Sequence, residues 1–144
     1  MAETEDQMGG DTQQITFQEM RSQIEEKIDD LIFRQFKSRN YDSKEAQKWC
    51  NDTSEVIIKL LQEVNKDLKF TANMIILQKG DSGFHMSASC FWDSKNDGNF
   101  SKKYPFEDYY VIINVFGFAR QWDVHYTDSH AFVSNKELRV TNKN

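Results

Sequence analysis

A chain of 144 residues with a net charge of −5, 38% hydrophobic and 28% charged residues, is long enough for one domain with a core and short for two. The acidic balance opposes general nucleic-acid binding, which needs a basic surface to displace counterions from phosphates. No apolar run approaches the ~20 residues that span a bilayer, two cysteines make no disulfide framework, and the acidic start is the reverse of a secretory signal peptide, so cytosol is the expected compartment.

Residues 1–14 are rich in Glu, Asp, Gln, Thr and Gly and hold little to bury, which predicts a disordered acidic segment. From Phe17 onward Met20, Ile24, Ile28, Leu31, Ile32 and Phe36 recur at three- and four-residue steps, the stripe of an amphipathic helix. Thr16 with Glu19 makes a capping box at its start, and Arg34, Lys37 and Arg39 suit the negative end of its dipole. The acidic pairs Glu25-Glu26 and Asp29-Asp30 read as its wet face. Asn40, Tyr41 and Asp42 break the pattern. Asp42 with Glu45 then starts a second helix, whose apolar face carries Ala46, Trp49, Thr53, Val56, Ile57, Leu60, Leu61 and Val64.

The period next falls to two. Lys69 to Lys79 reads as a strand buried on both sides for part of its length, with Phe70, Ala72, Met74 and Ile76 on one face and Ile75 and Leu77 on the other. Phe84 to Asp93 is a second strand, with His85, Ser87, Ser89 and Phe91 alternating against Met86, Ala88, Cys90 and Trp92. The polar turn Lys79-Gly80-Asp81-Ser82-Gly83 predicts that these two pair as a hairpin. Asn96-Asp97-Gly98-Asn99 is a turn with the favoured Asp-Gly dipeptide. Phe100 to Tyr104 is a short third strand, in which Lys102 and Lys103 read as a solvated edge, and Tyr109 to Phe118 is a long final strand. The order predicts an α+β fold, two N-terminal helices packed on a four-stranded antiparallel sheet. The domain is expected over 15–118, with 119–144 as a C-terminal extension lacking a sustained period.

Catalytic chemistry is hard to find. His85, His125 and His130 do not cluster with acids or cysteines at metal-ligand spacings, and no metal or other cofactor is expected. The glycines form neither a P-loop nor a dinucleotide fingerprint. Cys90 sits in an apolar strand, a setting for an inert thiol rather than a nucleophile. A small α+β enzyme or ligand-binding domain using Cys90 and His85 is the alternative reading. Trp92 suits a core anchor and an interface centre equally well, because tryptophan is enriched in both.

The helix with Trp49, then Lys69-Phe70, Ile76-Leu77-Gln78-Lys79, Phe84 to Asp93 with its Cys90-Phe91-Trp92-Asp93, Asp97-Gly98 and Val115-Phe116-Gly117-Phe118 together resemble the Tctex-type dynein light chains. The resemblance covers about Phe17 to Phe118. It implies a noncatalytic subunit that forms a strand-swapped dimer, with itself or with a related light chain, the crossing strand being Phe84 to Asp93. It also implies binding of the dynein intermediate chain, and of cargo adaptors, as an added β-strand in a groove at the dimer interface. The groove would be framed by Phe84, His85, Met86, Ser87, Ala88, Ser89, Cys90, Phe91, Trp92 and Asp93, with Phe100, Lys102 and Tyr104 as edge contributors. The expected location is the cytoplasm and the cytoskeletal dynein complex, with a ciliary axoneme as its motile variant; neither nucleic acid nor membrane is an expected partner.

Overall fold

The computed structural model describes residues 15–119. The expected disordered acidic start, 1–14, and the extension from residue 120 onward lie outside the described residues. Two helices, α1 (Phe17–Phe36) and α2 (Ala46–Val64), precede three strands, β1 (Leu68–Gln78), β2 (Gly98–Pro105) and β3 (Tyr109–Ala119).

Helix α1 begins where the sequence predicts. The Thr16 hydroxyl accepts from the Glu19 amide and the Glu19 carboxylate accepts from the Thr16 amide, so two donors left open at a helix start are satisfied. Its stripe from Phe17 to Phe36 is buried as expected. The start of α2 differs from expectation. Asp42 does not cap it; its carboxylate accepts from the Lys44 amide and its carbonyl from Glu45 and Ala46, so a separate turn leads in and Glu45 takes the N-cap position without a side-chain bond. The helices meet through Thr53, whose hydroxyl donates to Gln35 at 2.8 Å, and through Phe36 against Trp49, with the Arg39 guanidinium over both rings.

The sheet is antiparallel in the order β1-β3-β2. This corrects the expected hairpin: β1 pairs along its whole length with β3, from Leu68 opposite Ala119 to Gln78 opposite Tyr109, and not with the segment from Phe84 to Asp93. Among the described residues the sheet has three strands, not four. The reason lies in β3. Its sequence YYVIINVFGFA is apolar on both faces, and such a strand buries its surface best in the middle of a sheet with cover on each side. Val111, Ile113 and Val115 face the helices and Ile112 and Asn114 the opposite side, yet all five are buried. The core between helices and sheet gathers α1, Ile57 and Leu61 of α2, Leu68, Phe100, Tyr104 and the odd-numbered residues of β3.

Two glycines set how α1 docks. Gly98 and Gly117 are partners in the β2–β3 register, and the Phe17 ring lies in the hollow they leave. A Cβ on Gly98 would stand within hard contact of Phe17 Cδ1, and one on Gly117 within hard contact of Cδ2. The requirement is for space, since neither glycine has a left-handed backbone.

The two lysines of β2 part company. Lys103 lies on the outer face, its ammonium 4.6 Å from the Tyr110 ring centre. Lys102 is not a solvated edge residue: it is 3% exposed, and its ammonium reaches Asp29 at 2.5 Å and Glu25 at 3.2 Å. Strand alternation turns it under α1, beside Phe100 and Tyr104, where its positive charge needs a carboxylate. Glu25 and Asp29 are therefore not part of the wet face, whereas Asp30 and Glu26 are exposed. The Tyr104 hydroxyl donates to Asp29 at 2.7 Å. Burial above all, then that hydrogen bond and the charges of Asp29 and Glu25, push the Tyr104 phenol far above its ordinary pKa.

Candidate functional site

The connection from β1 to β2 carries the residues singled out from the sequence. Lys79 closes the β1–β3 ladder by donating its amide to the Asp108 carbonyl, and the chain then leaves the sheet edge. From His85 to Trp92 burial alternates without a break. His85, Ser87, Ser89 and Phe91 are exposed; Met86, Ala88 and Cys90 are half-buried and Trp92 is buried. That is the face pattern of a strand, and it matches the two sets read from the sequence. Regular structure within it is confined to a single-residue bridge at Cys90.

The inward set lies against the face of the sheet opposite the helices. Asn114 of β3 donates its amide to the Met86 sulfur at 3.5 Å and accepts from Ser101 of β2 at 2.5 Å. Trp92 packs on Phe118 and Phe116, with ring centres 5.8 and 6.3 Å apart. Met86 thus covers the buried Asn114, while Trp92 covers Phe116 and Phe118, which stay half-buried. Outward, Phe84 is 43% and Phe91 55% exposed, a large apolar surface for a short segment.

The segment is anchored at its carboxyl end by Asp97, a residue the sequence marks only as half of an Asp-Gly turn. Its carboxylate accepts from the Asp93 amide at 2.9 Å and from the Ala119 amide at 2.6 Å. The Asp97 amide in turn donates to the Asp93 carbonyl, and the Asp93 carboxylate accepts from Lys95 and Asn96. The Phe17 amide donates to the Asn96 carbonyl, so the same knot holds the start of α1, the start of β2 and the end of β3. Asp97 is 7% exposed, and its burial was the sign that sequence alone lacked. Asn114 was visible in principle, as a polar residue in the middle of an apolar strand.

The three residues expected at the sheet edge lie on β2, which is an edge strand among the described residues, but their side chains face inward. Phe100 and Tyr104 sit in the core and Lys102 in its ion cluster. What β2 offers outward at that edge is its backbone.

No group of three or more His, Cys, Asp or Glu able to hold a metal occurs among the described residues, and none of their helices is long and apolar enough to cross a membrane. The sequence profile of the Tctex-1 family matches residues 18–118, from the second residue of α1 to the last but one of β3. The chain belongs to the Tctex-1 family. Among its relatives is a protein of Dictyostelium discoideum named dynein light chain Tctex-type, 37% identical over 78 residues that cover 54% of this chain and 70% of that one. A Drosophila melanogaster protein of the same name is 28% identical over 55% of this chain and 71% of its own. The human dynein light chain Tctex-type 3 is 29% identical over 56% and 69%. Tctex-1 family membership carries a noncatalytic motor-subunit role, and the alternative of an enzyme built on Cys90 and His85 is set aside on that ground.

Proposed function

We propose that this Tctex-1 family chain is a light chain of a microtubule dynein motor, dimerises by exchanging the strand from Phe84 to Asp93, and holds a segment of the dynein intermediate chain as an added β-strand. The observation that carries this reading is the unbroken alternation of burial from His85 to Trp92 on a segment outside the three-stranded ladder. Such a segment has the side-chain pattern of a strand, and the edge backbone of β2 can receive one. Strand addition draws its affinity from main-chain hydrogen bonds and its selectivity from alternate side-chain pockets. In a dimer two such grips on one intermediate-chain assembly reinforce each other through effective concentration. The partner is the same chain or a related light chain, and cargo adaptors carrying a strand of similar pattern compete for the groove.

Sedimentation of the purified chain, together with titration of intermediate-chain peptides, tests the proposal. A dimer that binds the peptide is expected; a stable monomer that binds none would defeat it. Affinity capture from its own cells then separates a cytoplasmic transport motor from an axonemal one by which heavy and intermediate chains come with it.

A further inference from the structure

Among the described residues β1 and β2 are the two edge strands, and two hydrogen bonds just beyond the ladder fix which of their backbone groups are open. The Lys79 amide donates to the Asp108 carbonyl, one step past the register pair Gln78 and Tyr109. In an antiparallel ladder bonded and non-bonded pairs alternate. Leu77, Ile75, Asn73 and Thr71 therefore bond to β3, while Ile76, Met74, Ala72 and Phe70 turn their amides and carbonyls to the outer edge of β1. The Phe106 amide donates to the Tyr109 carbonyl and continues the β2–β3 register in the same way. It leaves Asn99, Ser101 and Lys103 facing out from β2. The two bonds agree on β3, since Asp108 faces one neighbour and Tyr109 the other. Cys50 of α2 agrees as well: burial raises its pKa and the Ile76 amide beside the thiol offsets part of the rise, so that amide points away from β3.

We infer that the outer edge of β1, from Phe70 to Met74, is a second strand-accepting site, and that its occupant is an extended, uncharged segment of a partner protein. Edge strands are ordinarily guarded against pairing by charge or proline. The edge of β2 has both, in Lys103 and Pro105, whereas β1 has neither from Phe70 to Gln78. Helix α2 meets this edge at Ile76 through Cys50. Toward the start of the strand a groove of about 810 Å³ opens between β1 and the last turns of α2. It gives room for the side chains that an added strand would turn toward the helices. Its wall mixes Ile58 and Phe70 with Lys59, Gln62, Glu63 and Lys66, so neither charge is favoured and residues such as Val, Thr or Gln fit. A second copy of β1 does not fit. Paired strands lie about 4.8 Å apart, two packed helices need about 8–10 Å, and α2 already stands over its own edge at Cys50. The affinity comes from main-chain bonds at Phe70, Ala72 and Met74. This site is separate from the β2 edge and does not depend on strand exchange, so one chain can hold two different partners.

Amide resonances of the isotope-labelled full-length chain, titrated with a short synthetic peptide of alternating valine and threonine between terminal lysines, test the inference. In the free chain the Ala72 and Met74 amides are expected to exchange with solvent faster than those of Thr71, Asn73 and Ile75. With peptide they are expected to shift saturably and gain protection. Ala72→Pro removes one outward donor at a position where an edge strand tolerates proline; it should abolish these shifts and leave the β3 amides in place. A fully N-methylated peptide, which has no donors, should cause no shifts, and it decides the matter if the proline variant fails to fold. Equal protection of odd and even β1 amides in the free chain would overturn the inference. So would unmoved Ala72 and Met74 amides at millimolar peptide, shifts confined to Ser101 and Lys103, or the same shifts with the N-methylated peptide. A monomer that takes the peptide at Ala72 and Met74 would defeat strand exchange and leave this site standing, whereas a dimer whose β1 amides stay unmoved would do the reverse.

Discussion

Replacing Gly117 by alanine adds one carbon atom, and the structure says where it goes. The new Cβ would stand within hard contact of Phe17 Cδ2 and 2.9 Å from Cε2, with Phe70 Cε1 at 3.3 Å on another side. Phe17 has no exposed surface and is held at its backbone by the bond to Asn96, so its ring has little freedom to retreat. Overpacking of a filled core costs about 1–3 kcal/mol, against a gain of roughly 0.5–1 kcal/mol from replacing glycine within a strand. The net expected loss is centred on about 1 kcal/mol, within about 0–2.5 kcal/mol, and each kcal/mol corresponds to about 4–8 °C of Tm in a domain near this size. Urea and thermal unfolding at one fixed protein concentration measure it, since association shifts apparent stability. Gly80→Ala serves as the control, because nothing stands within 4 Å of its added carbon. The decisive variant is Phe17→Leu combined with Gly117→Ala: the smaller side chain relieves the clash, so the double change should cost less than the sum of the two singles. If Gly117→Ala is as stable as the parent, or if the two changes simply add, the glycine hollow does not set the docking of α1.

Lys102→Ala leaves Asp29 and Glu25 without their shared cation and is expected to lose roughly 2–3 kcal/mol in urea unfolding, less than for a fully buried pair because both acids keep some contact with water; adding Asp29→Ala should recover part of the loss. The raised pKa of Tyr104 makes the unfolded chain ionise first, so its contribution is whole below the ordinary tyrosine value of 10.0 and falls away as pH rises above it. Tyr104→Phe should therefore flatten the loss of stability measured between neutral and strongly alkaline pH, and an unchanged slope would remove Tyr104 from the account. Asp97→Ala removes the acceptor of the half-buried amides of Asp93 and Ala119 and should cost about 1–2 kcal/mol, with faster amide exchange at both positions. Trp92→Ala, at a site 7% exposed, is expected to lose about 3–5 kcal/mol of stability, and sedimentation of the variant beside the parent reports whether the proposed dimer goes with it.

These perturbations bear on function through one corner of the molecule. Asp97, Trp92, Phe17 and the glycine pair bring together the start of α1, the anchor of the segment from Phe84 to Asp93 and the end of the central strand. The proposed strand exchange needs the exchanged strand firmly held at one end and accessible along the rest. The exposed Phe84 and Phe91, set against the buried Trp92, have this arrangement.

Both helices, the alternation from His85 to Trp92 and the apolar character of the final strand were legible in the sequence because each is a local period, written in residues a few positions apart. Thr16 and Glu19 likewise declare the start of α1 without help from the rest of the chain. Which strands pair was not legible. The short turn after Gln78 favours a hairpin locally, but β3 buries two apolar faces only by taking the centre, and that preference appears only when helices and sheet are assembled. The sign of Lys102 reversed for the same reason: two adjacent lysines read as solvent-facing until strand alternation sends one of them beneath α1 to Asp29. The sequence by itself therefore determined both helices, the three ladder strands, the buried stripe of α1 and the family. Tertiary structure decided the strand order, the anchoring role of Asp97 and the inward turn of Lys102, since each depends on contacts between residues distant along the chain, where burial rather than local preference sets the energy.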